Sequence, residues 1–208
     1  MTSHAPAIAR ATGPWRSSGE SGASLAELLI VLALVATVAI FAVPTAGATI
    51  DAGRISQAAN VMAARFRLAR LEAVSQSRSI GLVFDQVGSR WTFRVCRDGN
   101  ANGLRRAEIS SGTDACTEGP LDLEAMFPGV QIAVDAMLRG PAGEPPSPDP
   151  IRFGSSNLAS FSALGSCTAG TLFLRSPMGA QYAVRVAGAT GRTRVLRYVP
   201  STRTWIDV

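Results

Sequence analysis

The hydrophobic pattern changes character twice along the chain. Leu28 to Val43 is almost wholly apolar, and no charged residue occurs between Leu28 and Ile50. That uncharged run is close to the roughly 20 residues a helix needs to cross a bilayer. Beyond Pro44 the pattern becomes periodic. Ile55, Ala59, Met62, Phe66, Ala69 and Ala73 recur at spacings of four and three, while Arg54, Gln57, Arg67, Arg70 and Gln76 lie off that stripe. This predicts an amphipathic helix with one buried face. Together the two stretches predict one helix from about Ser24 to about Ser77, roughly 80 Å long at 1.5 Å per residue. Pro44 is expected to kink it or melt it locally, as proline does without necessarily ending a membrane helix.

After Ser79 the period falls to two. Ile80–Phe84 and Trp91–Cys96 read as strands around a turn at Asp85-Gln86-Val87-Gly88. Further strands are predicted at Val130–Val134, Thr171–Arg175, Tyr182–Val186, Thr193–Val199 and Thr204–Asp207, with Gly188-Ala189-Thr190-Gly191 as a hairpin tip. Arg139–Pro150 is rich in proline and reads as a mobile surface loop. The predicted class is α+β: a long N-terminal helix, one half transmembrane and one half amphipathic, packed on an antiparallel sheet. The corresponding division is a cytoplasmic leader over 1–22, a transmembrane segment over 23–50, the amphipathic half over 51–79 and a β-sheet domain over 80–208.

Charge refines this picture. All twenty basic residues are arginine, and the formal net charge is +5. Met1–Gly22 holds Arg10 and Arg16, which favour a cytoplasmic leader and a periplasmic remainder. From Arg175 onward six Arg face the single acid Asp207, so the basic character is concentrated at the C-terminal end. Such a cluster is either a solvated sheet face or a contact surface for an anion.

The residues exclude several chemistries. The only histidine, His4, lies in the expected leader, which removes a Ser-His-Asp arrangement, and no phosphate-binding glycine loop occurs. We expect no enzymatic activity, no cofactor and no small-molecule substrate. Cys96, Cys116 and Cys167 lack metal-ligand spacing, so no metal site is expected of them. Outside the cytoplasm one disulfide is expected, either Cys96–Cys116 or Cys116–Cys167. Asp98-x-Asn100-x-Asn102-Gly103 opens like a calcium loop, but its twelfth position is Ile109 and Glu108 falls one short. A polar turn is the favoured reading of it.

A carboxylate beside an apolar span is costly, by about 2.5–3.5 kcal/mol at the bilayer centre and less near the interface. Glu27 occupies that place, in Gly22-Ala23-Ser24-Leu25-Ala26-Glu27-Leu28. The segment resembles the type IV prepilin motif: a small Gly, a cleavage point, Glu at the fifth mature position and a hydrophobic helix. Pro44 falls at the twenty-second mature position, where many pilins have proline. The resemblance implies cleavage by prepilin peptidase between Gly22 and Ala23, N-methylation of Ala23, and pairing of Glu27 with a neighbour's N-terminal amine during assembly. Ala23 departs from the usual Phe or Met, and Ser24 from the usual Thr. Two rival readings are a secretory signal ending at Ala46-Gly47-Ala48 and an uncleaved single-pass anchor.

Further residues narrow the resemblance to the GspH/FimT group of minor pilins and pseudopilins. Arg70-Leu71-Glu72-Ala73 followed by Ser77-Arg78-Ser79-Ile80 is similar to that group's helix end. Trp91, the Asp98–Gly103 loop with Glu108, and Gly191-Arg192-Thr193-Arg194 are similar to its later motifs. The resemblance implies a pilin-like fold and a structural subunit of a type II secretion pseudopilus or a type IV pilus. Its implied partners are other pseudopilins or minor pilins, prepilin peptidase, the inner-membrane assembly platform and the membrane itself. The implied location is the inner membrane, then a periplasmic filament. An alternative is DNA contact during natural transformation, with Arg192, Arg194 and Arg197 as the candidate residues, through salt-sensitive phosphate contacts.

Overall fold

A computed structural model describes residues 24–208, with the side chains of 40–46 outside the description. The chain forms two compact units, divided between Val43 and Pro44. Helix α1, Leu25–Gln76, contributes to both. In the first unit its circumference is apolar and uncovered: Leu28, Leu29, Ile30, Val31 and Leu32 follow one another around the axis, each more than half exposed. Among the described residues no helix is long and apolar enough to cross a membrane. The expected span Leu28–Val43 runs into residues 40–46, so part of it, like the side chain of Pro44, lies outside the described residues.

In the second unit α1 turns one face inward. Ile55, Ala59, Met62, Phe66, Ala69 and Ala73 are buried, joined by Ala58 and Ala63. Five alanines on that face let the helix lie close to what it covers, and Phe66 supplies the bulk. Its ring centroid lies 5.5 Å from that of Phe153, 6.3 Å from Phe84 and 6.4 Å from Phe161. The helix closes with Ser77 left-handed at φ 50°. Arg78 N–H donates to Ala73 O at 3.1 Å and Ser77 N–H to Val74 O at 3.3 Å, a Schellman ending without its usual glycine. A left-handed L-residue costs about 1–2 kcal/mol, partly offset in glycine by its freer unfolded chain. Ser77→Gly should therefore gain about 0.5 kcal/mol, read as a small rise in melting temperature; a fall would show that the serine makes a contact worth more than its strain.

The expected single sheet is two. After α1 come β1 (Ile80–Val87), β2 (Arg90–Arg97), α2 (Arg106–Ser111), β3 (Ala115–Asp122) and α3 (Leu123–Met126). Then follow β4 (Ile151–Arg152), β5 (Leu158–Phe161), β6 (Gly170–Arg175), β7 (Gln181–Val186), β8 (Thr193–Val199) and β9 (Thr204–Asp207). One antiparallel sheet has the order β3-β2-β1-β5, the other β4-β6-β7-β8-β9. Both contribute to the core under α1, through Leu82, Phe84, Phe93 and Phe161 from one and Leu172, Leu174, Val184 and Val195 from the other. Each sheet is covered on its second face too. Val83, Cys96 and Leu158 pack with Leu104 and Ile109, and Phe173, Ala183 and Leu196 pack with Val134 and Trp205. Two-sided cover is why Ile80–Phe84 and Leu172–Leu174 are buried without alternation.

Three local expectations are corrected. Asp85-Gln86-Val87-Gly88 is no turn, because β1 continues through Val87 and the hairpin closes over Gly88 and Ser89. Val130–Val134 is no strand. Val130 and Ile132 are buried as a strand would bury them, but the open flank of β6 is shared with Pro150–Arg152, leaving only the bridge Gln131↔Arg175. The proline-rich segment 139–150 is tied down rather than free. Arg185 Nη1 donates to Glu144 Oε1 at 2.8 Å, Trp205 Nε1 donates to Arg139 O at 2.8 Å, and Arg152 donates to Ser147 O at 3.0 Å and Asp149 O at 3.1 Å. Burial pushes the Glu144 carboxyl up, but the N–H groups of Glu144 and Ala142 and the Arg185 guanidinium outweigh it, and the net displacement is downward.

Candidate functional site

The N-terminal candidates begin at the edge of the described residues. Gly22 and Ala23, the expected cleavage pair, lie outside them. Ser24 caps α1: its Oγ accepts from Ala26 N–H at 3.3 Å, and its carbonyl receives the first helical bond from Leu28 at 3.1 Å. Glu27 is exposed in the first helical turn, three residues after the cap. Ser24-x-x-Glu27 has the spacing of a capping box, a signal legible in the sequence beside the prepilin resemblance. The positive end of the helix dipole also favours a carboxylate there.

The helix-end motif and the C-terminal motif meet in space. Arg70 Nε donates to Gly165 O at 3.1 Å. Gly191, left-handed at φ 61°, lies so close that a Cβ on it would stand 2.6 Å from Arg70 Cδ and from Gly165 O. Only glycine leaves room for the Arg70 stem there. Arg70 thus fastens α1 to the turn after β5 and to the β7–β8 hairpin tip.

The candidate DNA residues do not form one patch. Arg192 is exposed at the hairpin tip. Arg194 is taken by a two-point ion pair with Asp207 on β9, its Nε donating to Oδ1 at 2.8 Å and its Nη2 to Oδ2. Arg197 is exposed but lies three residues beyond Arg194 in β8, so the strand pleat turns it to the other face. It lines a cleft of about 380 Å³ with Ala52, Met178 and Tyr182.

The loop after β2 is a closed polar network. Asp98 is buried, and its Oδ1 accepts from Asn100 N–H at 3.1 Å and Ala101 N–H at 2.8 Å, its Oδ2 from Gly103 N–H at 2.7 Å. Asp114, also buried, accepts from Gly99 N–H at 3.0 Å and Arg105 N–H at 2.9 Å. Asn100 and Asn102 spend their amides on Glu108, at 2.9 Å and 2.8 Å. Each of Asp98, Asn100, Asn102, Gly103 and Glu108 is thus bonded within the loop itself. Among the described residues, no cluster of three or more His, Cys, Asp or Glu suits a metal. A disulfide joins Cys96 on β2 to Cys116, its register partner on β3. Cys167 stays free at the opposite edge of that sheet, bridged to β5, where burial pushes its thiol up and Arg70 partly opposes this.

One charged constellation was missed. Arg94 and Arg106 converge on Asp85, Nη2 of Arg94 at 2.8 Å from Oδ2 and Nη1 of Arg106 at 2.8 Å from Oδ1, while Arg106 also reaches Phe84 O and Ser156 O. It fixes α2 to the first sheet. Burial pushes the Asp85 carboxyl up, but the hydrogen bonds and charges of Arg106 and Arg94 prevail and hold it below its ordinary 3.8. A depressed carboxylate stabilises the fold above its ordinary pKa, and that support is lost as pH falls through the folded value. Urea midpoints should therefore fall as pH drops below about 4, and less steeply in Asp85→Asn, which should be weaker than wild type at neutral pH. Equal slopes would remove Asp85 from the account.

These motifs, the long helix and the paired antiparallel sheets coincide with a known family. The model of the type II transport protein GspH matches residues 58–191, well over half the chain. The chain belongs to the GspH family. The match spans Phe66, Arg70, the disulfide, the Asp98 loop and Gly191, so the residues that organise the domain lie within the GspH region. No curated protein and no solved structure matches the chain. GspH proteins are structural pseudopilins of type II secretion, which places this chain among the envelope's secretion components with other pseudopilins as partners.

Proposed function

We propose that this GspH protein is a minor pseudopilin made as a prepilin. Prepilin peptidase cuts it between Gly22 and Ala23 and methylates Ala23; Leu28–Val43 holds it in the inner membrane, and Glu27 pairs with a neighbour's N-terminal amine as the subunit enters the filament. The observation that supports this most is the first unit of α1. A helix exposing apolar side chains all round, with a lone carboxylate in its first turn, needs a lipid or protein environment on every side. Two opposite charges desolvated together cost less than either alone, which gives Glu27 its use.

The test is the intact mass of membrane-recovered protein with and without its peptidase, alongside Glu27→Ala. The expected result is peptidase-dependent loss of Met1–Gly22 in both proteins, with Glu27→Ala cut but absent from filaments. A mature N-terminus at Thr49, or an uncut chain in the presence of peptidase, overturns the reading. DNA contact remains the second reading, favoured by exposed Arg192 at a hairpin tip, and it requires Arg194 to exchange Asp207 for phosphate. It predicts that Arg192→Ala with Arg194→Ala weakens DNA binding and flattens its salt dependence.

A further inference from the structure

Four strand edges bound the two sheets, and three are blocked. The β3 edge carries Pro120, which has no N–H, next to left-handed Gly119. The β5 edge is covered by the returning chain, with Ser162 N–H donating to Ser166 O at 2.8 Å and Thr168 N–H to Ser160 O at 2.9 Å. β4 is two residues long. The fourth edge, β9, has no strand beyond it among the described residues.

The register shows which groups β9 leaves unused. Val208 N–H donates to Val195 O at 3.1 Å, which makes those two residues a hydrogen-bonded pair. The partners Arg197↔Ile206 and Val199↔Thr204 are then hydrogen-bonded pairs as well, and Tyr198↔Trp205 and Leu196↔Asp207 are not. Trp205 and Asp207 accordingly direct their backbone N–H and C=O away from β8, toward the open edge. Their side chains share one face, and on that face lies a groove of about 540 Å³ lined by Met137, Leu138, Pro141, Tyr198 and Trp205. The two rings stand 5.3 Å apart, and the indole is held by its bond to Arg139 O. Met137 is 83% exposed at the rim. The guanidinium groups of Arg139 and Arg203 have no ion-pair partner among the described residues, whereas the nearby acids Asp207 and Glu144 are already held by Arg194 and Arg185.

We propose that β9 and this groove form a docking site for an extended acidic segment of another protein. The segment adds antiparallel or parallel to β9 through the amides of Trp205 and Asp207. Every second side chain faces the groove, aliphatic where it meets Met137, Leu138 and Pro141 and acidic where it meets Arg139 and Arg203. The site rests on sheet geometry and charge alone, and stands whether or not the prepilin reading does.

The test uses the full chain in detergent and a synthetic octapeptide whose alternate residues are, in order, glutamate, valine, leucine and aspartate, with threonine between them. A lysine counterpart, a proline-interrupted version and a short DNA oligonucleotide serve as comparisons. The expected result is binding of the acidic peptide with slowed hydrogen exchange at the Trp205 and Asp207 amides. The lysine and proline versions should bind at least about tenfold more weakly, and Arg139→Glu with Arg203→Asp should lose a similar factor at unchanged melting temperature. Both arginines are exposed, so the double variant leaves the core intact, and aspartate tolerates the left-handed backbone of Arg203 (φ 53°). No binding, equal binding of the lysine peptide, binding without protection of those amides, or binding of the oligonucleotide alone would each overturn the proposal.

Discussion

Phe66→Ala should remove about 4 kcal/mol of unfolding free energy, the usual range for deleting a fully buried aromatic ring being about 3–5. Phe66 is wholly inaccessible and touches Phe84 on β1, Phe161 on β5 and Phe153 just after β4. Two of them belong to the first sheet and Phe153 directly follows β4 of the second, so the ring is where helix, first sheet and the edge of the second are held to one another. Its neighbours on the helix face, Ala59, Ala63, Ala69 and Ala73, are too small to collapse into the space it would leave. The loss should therefore include most of the cavity contribution and lower the melting temperature by about 10 °C. Phe66→Leu keeps much of the volume and should cost about 1.5 kcal/mol. Denaturation of the full chain in detergent reads both. A loss under about 1 kcal/mol for the alanine variant would mean that the two sheets hold together without the helix.

Much of this arrangement is legible in the sequence, because it depends on local periodicity. The α1 stripe is written at spacings of three and four, and β2, β6, β7, β8 and β9 lie within a residue or so of where alternation puts them. Elements stabilised from far away are silent. β3, ACTEGPLD, contains Gly119 and Pro120 and carries no alternation that predicts a strand; it is a strand because Cys116 is bonded to Cys96 and because Phe93 and Thr92 accept its far end in register. β5 is four residues between turn signals, and it forms because β1 offers a free flank. The second sheet was hidden for a related reason. Periodicity distinguishes buried from exposed faces, but a strand covered on both sides gives no face to distinguish.

The candidate sites divide in the same way. Arg70 and Gly191 were each singled out by resemblance, but that one is the seat of the other follows only from the fold. The C-terminal arginines are legible as charge and illegible as partners: Asp207, the one acid of the tail, neutralises Arg194, one of the three candidates for anion contact. Asp85 looked like a turn residue because its two arginine partners arrive from β2 and α2, neither of them neighbours in sequence.

The Asp98 loop allows a sharper test, because two chemistries share its sequence pattern. In the fold, Asp98 accepts three backbone N–H groups, two on one oxygen and one on the other. Asp98→Ala removes all three acceptors from a buried position and should cost about 4 kcal/mol, since bonds to a charged group contribute about 1.5–3 kcal/mol each and overlap when lost together. Asp98→Asn is the more telling change. An amide has one oxygen, so either rotamer turns an N–H₂ donor toward a backbone N–H that has lost its acceptor. The isosteric variant should therefore lose about 2 kcal/mol despite filling the same volume. A cation site would order these results differently. Calcium would raise the melting temperature of the wild type and have no effect on Asp98→Asn, whereas an internally satisfied carboxylate makes the wild-type melting temperature indifferent to calcium and to chelator. A calcium-dependent rise, or an Asp98→Asn variant as stable as wild type, would show that those three N–H groups are not what the carboxylate is for.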